Sequence, residues 1–185
     1  LLIEITACNR GPEAAALHVL PTLWFRNTWS WKGGGGKPVL DIARAPNDRV
    51  LSAHHTDPLF QESLADHFLY CEAEVPWLFT DNETNHARLF AAPNAGPFVK
   101  DGINDHVVHG KRDAINPALT GTKVAAHHTL TVAGGASQVV RLRLTRTPPG
   151  RGREPFADFD ATFAMRRVEA DAFYAAKLPK GVSVA

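Results

Sequence analysis

The sequence predicts a mainly β chain, an antiparallel β-sandwich followed by one C-terminal amphipathic linker helix. Three observations carry this. Apolar residues recur with a period of two through most of the chain, between short clusters of Gly, Pro and Asn. The regular run at residues 122–147 contains two alternating segments around a glycine turn. Beyond it, "PPGRGREP" breaks the pattern and aromatic residues return at helical spacing. A length of 185 residues suffices for one sandwich core. The division is a sandwich at 1–147, truncated at its N-terminal side, and a linker with helix at 148–185.

The elements follow in order. In "LLIEITACN", Leu1, Ile3, Ile5 and Ala7 alternate with Leu2, Glu4, Thr6 and Cys8, which reads as a strand. "NRGPE" is a turn. Residues 16–25 are an apolar run in which Pro21 cannot donate to a ladder, so it marks an edge, bulge or bend. Trp24 and Phe25 continue that run and are expected in the core. Residues 49–55, 67–74, 76–83, 87–93 and 105–110 read as further short strands. Val124, Ala126, His128, Leu130 and Val132 share one face; Val140, Leu142 and Leu144 oppose Arg141 and Arg143. "AGGAS" between the two segments predicts a hairpin. Pro155 suits a first helical turn. Phe156, Phe159, Phe163, Ala170 and Phe173 then predict an amphipathic helix over 156–176, ended by Pro179 and Gly181.

Charge narrows the function classes. Twenty Lys and Arg against 19 Asp and Glu leave a net charge of +1, so nothing pulls toward nucleic acid or an anionic membrane. No apolar run of 18 residues is present to span a bilayer. Cys8 and Cys71 form no CxxC and lie in apolar runs. Buried free thiols and a reducing, cytoplasmic setting are expected. The chain opens on Leu within a strand and its one Met is Met165, which predicts a piece of a longer protein.

The motifs exclude more than they assign. "GGGGKP" is no phosphate loop, because Pro38 follows Lys37 where Ser or Thr would reach magnesium. His54-His55 and His127-His128 are adjacent, and His106 and His109 flank two valines. On strands each pair faces opposite sides, and no CxxC or HExxH accompanies them. No metal or cofactor is expected. Asp81 and Glu83, and Asp101 and Asp105, lie on probable loops. Carboxyl pairs about 5–10 Å apart hydrolyse glycosides, but Asp and Asn are also ordinary turn formers. "LWFRNTWSWKGGGG" holds three of the four tryptophans. If extended, it puts Trp29 and Trp31 on one face, suited to sugar stacking or a domain interface.

"NRGPEAAALHVLPTLWFRNTWSW", "LFTDNETN", "PNAGPFVKDGINDHVVHG" and "NPALTGTKVAAHH", in that order, resemble long bacterial glucosidases of, or close to, glycoside hydrolase family 63. The resemblance covers nearly the whole chain. It implies an N-terminal sandwich of the super-sandwich type, a helical linker and a C-terminal (α/α)6 barrel that carries the acid and base of an inverting α-glucosidase. No catalytic residue then falls on this chain. Arg26, Asn27, Trp29, Trp31, Asn82, Glu83, Asn85, Lys100, Asp101 and His109 are the residues expected to face the substrate or the barrel. The implied partners are that barrel and an oligosaccharide. The other reading is a self-contained carbohydrate-binding sandwich with Trp29 and Trp31 as its platform.

Overall fold

The computed structural model describes residues 1–31, 35–43, 50–55, 66–151, 154–177 and 179. Lys32, Gly33 and Gly34 of the glycine run, Arg49, and Gly181 beyond the helix lie outside the described residues. The chain is mainly β, and every strand pair is antiparallel.

One layer is a six-stranded sheet. Its strands are β1 (Leu2–Cys8), β4 (Val39–Ile42), β5 (Val50–His54), β6 (His67–Cys71), β8 (Thr120–Gly121) and β11 (Ser137–Thr145), in the order β1-β11-β6-β5-β4-β8. The facing layer has two parts. β3 (Thr22–Trp24), β9 (Lys123–Ala126) and β7 (Trp77–Thr80) pair in the order β3-β9-β7, and β2 (Ala15–Val19) pairs β10 (His128–Val132). Leu40, Leu51, Leu69, Val140 and Leu142 of the first layer pack on Phe79, Val124 and Ala126 of the second. That two-layer burial is the main favourable term. Pro21 sits at the expected break between β2 and β3, and its carbonyl accepts from Ala126 N at 3.0 Å.

Several expectations change. Residues 87–93 are not a strand: α1 (His86–Phe90) forms there, because the Asn85 side chain accepts from Arg88 N and caps its first turn. Residues 105–110 belong to α2 (Gly102–His109). Ile103 and Val107, four apart, pack on Leu78 and Ala125. That helical pairing outweighs the strand preference of Val107-Val108. His106 and His109 therefore share a helix face instead of opposing each other.

The expected hairpin also fails as a ladder. β10 pairs β2, whereas β11 pairs β1 and β6, so "AGGAS" carries the chain from one layer to the other. The turn is pressed on "NRGPE": a Cβ on Gly134 would stand 2.2 Å from the Pro12 carbonyl oxygen. Cys8 is exposed, since it shares the outward face of β1 with Glu4 and Thr6. Cys71 is buried as expected, and burial pushes its thiol up to about 12.

The C-terminal helix α3 (Phe159–Ala175) starts later than expected, with Pro155 in the turn ahead of it. Its first turn clamps onto the outer face of the six-stranded sheet. Arg141 pairs Asp160 at 2.8 Å and Arg143 pairs Asp158 at 2.5 Å. The Arg141 guanidinium lies 5.1 Å over the Phe159 ring, which is 1% exposed. Phe163 stacks on Phe159 at 5.8 Å. Farther along the stripe, Phe173 and Tyr174 are exposed.

The layers are joined where β8 runs into β9. A Cβ on Gly121 would stand 2.3 Å from the Thr80 carbonyl oxygen. Gly121→Ala should cost about 1–3 kcal/mol by overpacking, whereas Gly96→Ala, with nothing within 4 Å, should leave stability unchanged. Urea unfolding of both variants checks this.

Candidate functional site

Beyond the join, Thr122 is fully buried and gathers three segments. Its hydroxyl accepts from Asn82 N at 2.7 Å and faces Asp81 Oδ1 at 3.3 Å, and its carbonyl accepts from Phe25 N at 3.2 Å. The Asn82 amide donates to the Phe25 carbonyl at 2.9 Å. The loop after β3 and the loop after β7 are thus fixed side by side at one end of the sandwich.

Glu83 ties them together. Asn27 Nδ2 donates to Glu83 Oε2 at 2.8 Å and to the Asn82 carbonyl at 3.1 Å. Trp29 Nε1 donates to Glu83 Oε1 at 2.5 Å. The stretch is a turn and not extended: Asn27 Oδ1 accepts from Ser30 N and Ser30 Oγ, and Trp31 N donates to the Thr28 carbonyl. Trp29 and Trp31 therefore do not share a face. Trp29 turns in to Glu83, and Trp31 is 56% exposed beneath Arg26, whose guanidinium is 5.1 Å from the ring.

A second set joins the loop from the side of α2. Lys100 N donates to the Glu83 carbonyl at 2.9 Å. Asn85 Nδ2 reaches both oxygens of Asp101 at 3.2 Å, and Arg88 pairs Asp101 at 2.9 Å. Asp81 pairs Lys37 at 2.8 Å. Nine of the ten expected residues therefore gather at this end of the sandwich. His109 does not: it lies in the last turn of α2, about 12 Å along the axis from Asp101 at ~1.5 Å per residue.

Trp24 corrects another expectation. It is 55% exposed, because Leu23 and Val124 face the core while Trp24 and its cross-strand partner Lys123 face outward. Phe25 packs on the core as expected. Sequence reasoning missed Thr122, Lys123 and the outward Trp24. The alternation along residues 22–25 is the signal that could have found Trp24.

Chemically, this arrangement holds and presents. Asp81, Glu83 and Asp101 each meet donors from more than one direction and tie the loops together. Ser52, His54 and Asp66 have the connectivity of a nucleophilic triad: Ser52 Oγ meets His54 Nε2, and His54 Nδ1 meets Asp66 Oδ1 at 2.7 Å. Ser52, however, is 3% exposed on a strand paired at both edges, so its hydroxyl is shielded from solvent and from a substrate. Among the described residues no group of three or more His, Cys, Asp and Glu is placed to hold a metal ion. No described helix is long and apolar enough to cross a membrane.

No protein-family model matches the chain, and no solved structure matches it. Among curated proteins it is similar to the "uncharacterized protein YMR196W" of Saccharomyces cerevisiae, 30% identical over 200 aligned residues. The match takes in 94% of this chain and 18% of the yeast protein. The chain thus spans less than a fifth of the curated relative's length.

Two outcomes follow from this geometry. Glu83→Gln replaces a charged acceptor of two side-chain donors, and should cost about 1–3 kcal/mol and red-shift Trp29 emission; urea unfolding read by fluorescence tests it. On the facing layer, His18 Nδ1 and His127 Nε2 are 2.8 Å apart. Burial, then His18 and His106, lowers the His127 pKa; burial, then His127, lowers that of buried His128. The unfolded chain therefore takes up these protons first. Stability should be full above about pH 6.5 and fall as pH drops until the folded histidines protonate. The urea midpoint should show that slope, and His127→Asn should flatten it.

Proposed function

We propose that the chain is the non-catalytic N-terminal β-sandwich part of a glycoside hydrolase acting on α-glucosidic linkages. The loop end around Glu83 supports, and in part rims, the active site of an inverting catalytic barrel that lies outside this chain. The observation that carries the reading is convergence. Segments 24–31, 81–85 and 98–101, which are parts of three of the four motifs of the glucosidase resemblance, meet in one hydrogen-bonded cluster at one end of the sandwich. The exposed aromatic end of α3 and the much greater length of the yeast relative support a neighbouring domain. Free Cys8 and Cys71 support a reducing compartment such as the cytoplasm.

The second reading, a self-contained carbohydrate-binding sandwich, is favoured by one observation: Trp31 presents its ring to solvent. Its platform changes, because Trp29 is engaged by Glu83.

Hydrolysis of a chromogenic α-glucoside tests the proposal. The 185-residue chain should show none, and the full-length polypeptide that carries it should be active. Glu83→Gln in that polypeptide should lower kcat/KM by about tenfold through a displaced rim. Activity in the isolated chain would sink the proposal; oligosaccharide binding by the isolated chain, lost in Trp31→Ala, would favour the second reading.

A further inference from the structure

The loop end carries a strip that the cluster itself does not use. Trp24 and Arg26 lie on the same side of an extended segment, since Phe25 between them packs on the core. The Arg26 guanidinium covers Trp31 at 5.1 Å. Across the ladder Trp24 stands opposite Lys123, whose ammonium donates to the Lys100 carbonyl at 2.7 Å. Trp31, Arg26, Trp24, Lys123 and Lys100 are therefore neighbours on the outside of this end, and both tryptophan residues are more than half exposed.

Charge around this strip is unbalanced. Asp81 pairs Lys37 and Asp101 pairs Arg88, while Glu83 is held by the neutral donors Asn27 and Trp29, so among the described residues here the five cations Arg26, Lys37, Arg88, Lys100 and Lys123 stand against three carboxylates. Among the described residues, Arg26, Lys100 and Lys123 have no carboxylate within salt-bridge distance. Burial, and then the like charge of Lys100, lowers the Lys123 pKa, and the Asp101 carboxylate offsets them only in part. An anion seated here would relieve that repulsion. Exposed tryptophan and arginine together are typical anchors of protein interfaces.

We propose that this strip docks an acidic protein segment, with Trp24 and Trp31 as anchors and Arg26, Lys100 and Lys123 as charge partners. The inference rests on the reading that this end of the sandwich faces another domain, and adds that the facing surface is acidic. A sugar alone would use the rings and leave the excess of positive charge in place; a carboxylate-bearing segment uses both.

Titration of the 185-residue chain with a glutamate decapeptide, followed by tryptophan fluorescence, tests this. Binding should weaken on the order of tenfold between low salt and about 0.15 M salt. Arg26→Glu and Trp31→Ala should abolish it; both are exposed, and circular dichroism checks that they fold. Arg166→Glu, on α3, should leave it unchanged. No binding, equal binding of a lysine decapeptide, or full binding by Arg26→Glu would overturn the acidic partner. A maltooligosaccharide that shifts the same fluorescence where the decapeptide does not would overturn it too, leaving the glucosidase reading standing. If iodide quenches Trp24 and Trp31 as readily in the full-length polypeptide as in this chain, the facing domain itself is refuted.

Discussion

The loop end depends on one passage of backbone. At Gly121-Thr122 the chain leaves the six-stranded sheet and enters the facing layer, and it does so against Thr80 with no room for a side chain. Close approach lets Thr122 N donate to the Thr80 carbonyl at 3.1 Å while the Thr122 hydroxyl and carbonyl serve Asn82 and Phe25. A buried threonine is satisfied here only by recruiting two loops. The same contact that closes the sandwich therefore also registers the loops.

From that registration the polar cluster follows. Glu83 is worth more as a tie than a neutral residue would be, because hydrogen bonds to a charged acceptor contribute about 1.5–3 kcal/mol each against about 1 for neutral pairs. With its oxygens held, Glu83 orients Asn27 and Trp29. Asn27 in turn shapes the tight turn that throws Trp31 outward. Exposure of Trp31 is thus a built feature, several links removed from the buried threonine.

Much of the architecture was legible in the residues. The alternation of β1 and β11, the break at Pro21 and the helical spacing after residue 155 are local patterns, and local patterns survive folding. Pairing choice is not local. "AGGAS" has good turn chemistry, yet each flanking strand found a better partner far along the chain. The short helices were hidden because Val107-Val108 favours strands until Ile103 and Val107 find Leu78 and Ala125. At the site, the Asn- and Trp-rich segments stood out and do meet. Thr122 and Lys123 carry no signal of their own, and Trp24 faces outward because the alternation of residues 22–25 continues through the apolar run along the edge strand.

The clamp on α3 has a mechanical meaning. Two arginines and one buried ring hold the helix at a single point, while Phe173 lies 14 residues farther on. At ~1.5 Å per residue that is a lever of about 21 Å, and a tilt of about 10° at the clamp carries its tip about 4 Å. Anything joined to the far end takes its orientation from Arg141 and Arg143. Arg141 is itself braced across the strands by Glu4 at 3.1 Å and Glu72 at 3.8 Å. A charge change on the outer sheet surface would thereby re-aim whatever the helix carries.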